Sequence, residues 1–283
     1  MLNLIRMNLY SLFRTVSFWV MIAVTAVIAV FFVYMTNVDI EYMSEENSAA
    51  EQTAQQTDEN EITVGIAVET LDEWVDQGIE MVSLFQVMGS SAIIALLASI
   101  FVAIYTNAEQ KTGFIKNIAG QLPKRGMLSL AKLSGIAVEL LIMFGVYILA
   151  TVISGKIILG DKLVLGDVGD LIKIIAVQYL LHLAFCSFVQ MLCTVARGAG
   201  IGMTVGILFC SGMTSLVYMG INYVVSKLGA EDFDVSKYDL MTYIGSASAS
   251  DSDMMTKCII AGAAYLVICT AVSMLVMQKR DIK

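Results

Sequence analysis

Residues 16–35 read VSFWVMIAVTAVIAVFFVYM, twenty residues without a charged side chain. A helix rises about 1.5 Å per residue, so about twenty apolar residues cross the roughly 30 Å hydrocarbon core of a membrane. The run is longer than the apolar core of a signal peptide, and no small-residue cleavage site follows it. It therefore reads as a retained span. Five further stretches of similar length and polarity occupy 84–105, 131–154, 172–195, 201–225 and 257–277. Runs this long are helices, because unpaired backbone groups are too costly in lipid and the alternation of a barrel strand is missing. The whole chain agrees: 58% of its 283 residues are apolar and 15% are charged, against about a half and a quarter in soluble domains. The expectation is an all-α membrane protein, one transmembrane domain over 1–283, with six transmembrane helices.

Charge orients the bundle. No Lys or Arg occurs from residue 15 to residue 110, whereas acidic residues recur from Asp39 to Glu80. With the N-terminus inside, the inner segments are 1–15, 106–130, 196–200 and 278–283. They carry Arg6, Arg14, Lys111, Lys116, Lys124, Arg125, Arg197, Lys279, Arg280 and Lys283, with Lys132 just beyond. The opposite face keeps Lys156, Lys162, Lys173, Lys227, Lys237 and Lys257 and nearly all of the acids. A Lys/Arg excess marks the cytoplasmic side, so both termini are expected there. The net charge of −8 then belongs to the outer face, and nothing in the pattern points to nucleic acid.

Residues 1–15 place Leu2, Ile5, Leu9, Leu12 and Phe13 along one helical stripe, with Asn3, Arg6 and Asn8 off it. This predicts an amphipathic elbow helix lying on the membrane surface. Residues 36–80 read as an acidic outer loop. It ends in a short helix that carries Val68, Leu71, Trp74, Val75 and Ile79 on one side, with Trp74 at headgroup depth. Residues 226–256 read as a second outer segment with short helices.

Sites for chemistry are few. The five cysteines fall in or at the edge of spans without a CxxC pair and read as packing residues; neither a catalytic residue nor a metal site is expected. The intramembrane polar candidates are Glu139 and His182. A carboxylate near mid-membrane costs about 2.5–3.5 kcal/mol and must pair, protonate or face water. His182 reads as hydrogen-bonded to a neighbouring helix. Small residues recur every fourth place at Gly198, Gly202 and Gly206, with Cys210 continuing the row, and again at Ser91, Ala95, Ser99 and Ala103. Such rows let helices approach closely, within one chain or between two.

The stretch NAEQKTGFIKNIAGQLPKRG, residues 107–126, remains. It holds the only proline and a dense basic cluster, and it exposes Phe114, Ile115 and Ile118 along one edge. Basic residues attract anionic lipid, but apolar side chains in a charged cytoplasmic loop indicate protein docking. Glu109, Gly113, Ile115, Lys116 and Asn117, followed by Pro123 and Arg125, resemble the segment after the second span in membrane subunits of ABC-2-type (type V) ABC exporters, E-x-x-x-G-x-I-K/R-N and then P-x-x-R. Arg125 stands one place early. The resemblance extends over the elbow helix, the six spans and the basic tail.

The resemblance implies a permease subunit that is not itself an enzyme and binds no cofactor. A separate cytoplasmic ATPase holds the ATP and Mg and docks through Glu109, Gly113, Phe114, Ile115, Lys116, Asn117 and Arg6. It also implies a second permease copy, identical or homologous, paired along Gly198, Gly202, Gly206, Ser91, Ala95 and Ser99. Further implications are residence in a bacterial plasma membrane and an amphipathic or hydrophobic cargo, such as a phenol-soluble modulin or a bacteriocin. Two alternatives stay open. One is a non-transporting sensor or immunity protein whose acidic loop binds a cationic peptide; the other is a membrane enzyme using Glu139 and His182.

Overall fold

The computed structural model describes residues 2–49, 74, 78–111, 125–227 and 234–279. Helix α1 (Leu2–Arg14) is separated by Thr15 from α2 (Val16–Ala49). A two-residue strand β1 (Ile79–Glu80) leads into α3 (Met81–Ser90) and α4 (Ile93–Lys111). Then come α5 (Gly126–Ile158), a 3-10 turn at Gly160–Lys162, strand β2 (Leu163–Val164) and α6 (Val168–Ala196). Helices α7 (Ala199–Cys210) and α8 (Thr214–Lys227) follow. A 3-10 turn at Val235–Tyr238, α9 (Leu240–Ser246) and α10 (Ser252–Lys279) complete the chain. The all-α expectation gains one small exception, since β1 and β2 pair in parallel, Ile79 with Leu163 and Glu80 with Val164.

Four unbroken helices, α2, α5, α6 and α10, are long and apolar enough to cross a membrane. Two bent pairs, α3 with α4 at 48° and α7 with α8 at 80°, raise the number to as many as six. The chain is thus a multi-pass membrane protein by architecture, and the second and fifth stretches expected to span, 84–105 and 201–225, are each divided between two helices set at an angle. Ala92 adopts φ 57, and the hydroxyls of Ser90 and Ser91 donate to the carbonyls of Val87 and Met88 instead of leaving the backbone ladder undisturbed. At the second break Gly212 adopts φ 73, a conformation that glycine enters without strain.

Two loop expectations change as well. Helix α2 runs to Ala49, so the first part of 36–80 is helix. Its stretch up to residue 49 contains neither Gly nor Pro to stop it. At the far end of that segment, Ile79 lies in β1 and not on a helical stripe, because Gly78 (φ 83) turns the chain first. Trp74 is buried in the apolar core, away from the lipid-facing surface.

Helix α6 is the hub. It packs most extensively against α10, and also against α3, α4, α5, α7 and α9, while α2 and α1 pack against α5. At 33 residues, α5 is about 50 Å long and outreaches the hydrocarbon core. Large apolar side chains such as Val27, Phe31, Leu149, Ile153, Ile260 and Val267 point outward, as a lipid solvent allows. The α8 helix buries none of its residues.

Candidate functional site

The α6 helix carries one buried row with fourfold spacing: Ile174, Gln178, His182, Cys186, Gln190 and Thr194. From Gln178 to Thr194 the row runs about 24 Å along the axis. Opposite it, α5 buries Glu139, Met143, Tyr147 and Thr151, also four apart. Phe144 of α5 stands edge-on to both His182 (5.2 Å between centroids, 77°) and Tyr179 (5.9 Å, 88°). The Tyr179 hydroxyl donates to the carbonyl of Ala137 at 2.9 Å. The two helices therefore face each other along a seam that is polar in the middle of an apolar bundle.

That seam is incompletely satisfied. Glu139 is 0% exposed, and among the described residues neither of its carboxylate oxygens has a hydrogen-bond partner. The Nε2 of His182, the Tyr147 hydroxyl, the Thr151 hydroxyl and Oε1 of Gln178 are in the same state. Such groups cost free energy when buried alone, so their retention marks a place where structure has not been optimised for stability. The expectation for His182 needs correcting: Nδ1 lies 2.7 Å from the carbonyl of Gln178, on its own helix, and the neighbouring helix supplies an aromatic edge instead. Glu139 and His182 share the seam without a hydrogen bond between them. A cavity of about 20 Å³ lies between α3, α4, α5 and α6, lined by Tyr147 and Gln178 among apolar residues. Gly89 permits it: a Cβ there would come within 3.3 Å of the Gln178 side chain.

The row is anchored at both ends. Gln178 Nε2 donates to the carbonyl of Ile244 on α9 at 2.9 Å. At the other end, Gln190 Nε2 donates to the carbonyl of Ser129 at 2.9 Å. The hydroxyls of Ser129 and Ser273 are 2.6 Å apart, Ser273 donates to Thr194 at 3.3 Å, and Thr194 donates back to the Gln190 carbonyl at 2.8 Å. Beside this knot, Lys132 Nζ donates to the carbonyl of Thr106 at 2.8 Å, and Tyr105 donates to the carbonyl of Asn8 at 3.3 Å. Five helices, α1, α4, α5, α6 and α10, are thus tied together at one end of the bundle. Gly135 and Gly126 allow the close approach, with Cβ positions that would meet the Tyr105 hydroxyl at 2.7 Å and the Met274 carbonyl at 2.9 Å.

The clamped end is also the basic one. Arg6 and Arg14 lie exposed on α1 and Arg125 at the start of α5. Arg197 and Lys279 line a pocket of about 380 Å³ with Leu275 and Val276. At the opposite end the β1–β2 pair brings Glu80 to the α5–α6 connection, which holds Asp161 and Asp167, with Asp170 in the first turn of α6.

The remaining candidates divide sharply. Gly113, Phe114, Ile115, Lys116, Asn117 and Pro123 lie outside the described residues, as does the Glu109 side chain. The small-residue rows meet each other inside one chain. A Cβ on Gly206 would sit 2.8–2.9 Å from the Ser99 side chain, and one on Gly202 would overlap Cys193. Ala95 and Ser99 are buried, Ser91 is half-buried, and Gly198 is the half-buried N-cap of α7. The face carrying Gly202, Gly206 and Ser99 is therefore taken by the chain's own helices.

Tyr147, Thr151 and the Ser129–Thr194–Ser273 knot were not singled out from sequence. For Tyr147 and Thr151 the one available signal was the fourfold spacing from Glu139; the knot residues carried none that named their partners. Compared with known proteins, the chain matches no family model, and no curated protein matches it.

Proposed function

We propose that this chain is the membrane-spanning permease subunit of an ATP-driven exporter. It has six spans counting the bent pairs, both termini and the basic end face the cytoplasm, and it resides in a bacterial plasma membrane. A separate ATPase docks on Glu109, Gly113–Asn117 and Arg6. The cargo is an amphipathic or hydrophobic molecule, a peptide in the first instance.

The observation that carries this reading is the hydrogen-bonded clamp at the basic end. The docking segment departs from the end of α4 and returns at the start of α5. Both ends are tied, through Tyr105, Lys132 and Ser129, to α1, α6 and α10. A push delivered to that segment would reach the central helix α6 directly, and with it the under-satisfied seam at Glu139 and His182. A second copy completes the path. Because Gly202 and Gly206 pack within the chain, the copy would meet the outward faces of α7 and α8, where Ile201, Leu208, Leu216 and Val217 are exposed.

Affinity purification of the full chain from its own membranes tests the proposal. An ATPase with Walker motifs should copurify, and the double change Phe114→Ala with Lys116→Ala should lose it while the chain still inserts. Retention of ATPase binding and coupling by that variant would overturn the docking role. Loss of function on deleting 45–61, with the double variant unaffected, would favour the peptide sensor instead.

A further inference from the structure

A groove of about 640 Å³ runs along the outward side of α10, between it, α6 and the Val235–Ser246 segment. Its floor is Ala261, Ala264 and Ile268, and Phe188 and Met191 form one wall. Tyr238 and Tyr243 form the other, held in place by two contacts. The Tyr265 hydroxyl donates to the Tyr238 carbonyl at 2.7 Å, and the Cys258 thiol lies 3.6 Å from the Tyr243 carbonyl. Lys257 stands at one end of the groove and Cys269 at the other, about 18 Å apart along the helix. Lys257 is exposed and, among the described residues, is the one charged side chain in the lining.

These features describe an occupant. The groove is apolar over a length suited to an acyl chain, has Ala261 and Ala264 on its floor, and opens on the outward side of α10. It ends in a cation where the apolar run of α10 begins, flanked by tyrosines of the kind that settle at headgroup depth. We propose that the groove is a binding site for one anionic phospholipid, its acyl chain along Ala261, Ala264 and Ile268 and its phosphate at Lys257. Charge favours an anion over a cationic peptide, which Lys257 would repel and for which the lining holds no acid among the described residues. The inference needs only the membrane architecture and stands apart from the exporter reading.

Native mass spectrometry of the full chain, released from micelles containing equal phosphatidylglycerol and phosphatidylcholine with matched acyl chains, tests it. The chain should retain phosphatidylglycerol about fivefold over phosphatidylcholine, the factor that one basic residue at an anionic surface gives. Lys257→Gln should bring the ratio to near one, and Lys257→Arg should keep it. Ala264→Phe, at an exposed position, should lower retention of both lipids. A preference unchanged in Lys257→Gln, or retention unchanged in Ala264→Phe, would overturn the proposal. So would displacement of the lipid by a cationic amphipathic peptide from the unaltered chain and from Lys257→Gln alike.

Discussion

Two seams hold the centre of this bundle, and they are built on opposite principles. Where α7 nests against α4 and α6, small residues set the approach: Gly202 and Gly206 bring backbone against Cys193, Val189 and Ser99, with Phe209 packed on Phe185 and Phe188 beside them. Where α5 faces α6, the side chains are large, polar ones lie among them, and several of their atoms are without partners among the described residues. In lipid, close approach is a main source of helix association, since burial of apolar groups gains little. The glycine seam supplies stability of that kind. The polar seam, with buried atoms left unpaired among the described residues, subtracts from it.

The comparison makes graded predictions. Gly202→Leu should have the largest effect. Its side chain would have to displace Cys193 or move α7, at a cost of about 3 kcal/mol, and the monodisperse peak in size-exclusion chromatography should be lost. Glu139→Leu should behave oppositely. Removing an unpartnered buried carboxylate should leave the melting temperature unchanged or raise it, by the equivalent of about 1–2 kcal/mol; on the proposed exporter reading, transport or ATPase coupling should fall at least tenfold (~1.4 kcal/mol in the barrier). A melting temperature that collapsed in Glu139→Leu would show that the seam is structural after all.

Ser129→Ala sits between the two. It removes the hydroxyl pair with Ser273 but keeps the carbonyl that Gln190 uses, so a loss of about 1 kcal/mol is expected in thermal unfolding. The smallest effect belongs outside the spans. Asp234 accepts from the Ser236 hydroxyl and amide and from Asn222, and the Ser236 hydroxyl, then Asn222, hold its carboxyl below the usual range. A carboxyl depressed in the folded state stabilises above its unfolded pKa, and that contribution is lost as pH falls through the folded value. Hydrogen exchange at Val235–Tyr238, corrected for intrinsic rates, should therefore speed up below about pH 4 and nowhere near neutrality.

How much of this was legible depended on scale. Twenty-residue apolar runs dominate their surroundings, so all six stretches over which helices form could be read, and Glu139 and His182 stood out as ionisable residues inside such runs. The breaks were not read, although Gly212 and the GSS of 89–91 marked them, because a run that satisfies an apolar window says nothing of where its ladder is interrupted. Ser129, Thr194 and Ser273 were invisible for a related reason. A hydroxyl in an apolar run looks like a small packing residue until its partner on another helix is known. The glycine rows were legible as packing faces, but period alone cannot tell which helix will occupy them; Ser99 of the same chain does.

The account turns on which side of the membrane the clamped basic end faces, and paired cysteine labelling reads this directly. All five native cysteines are buried, so cysteines introduced as Phe114→Cys and Glu80→Cys can be probed with a membrane-impermeant maleimide in intact cells. Glu80→Cys should label at once and Phe114→Cys only after lysis. Labelling of Phe114→Cys in intact cells would put the basic segment outside, out of reach of the cytoplasmic ATPase proposed to dock there.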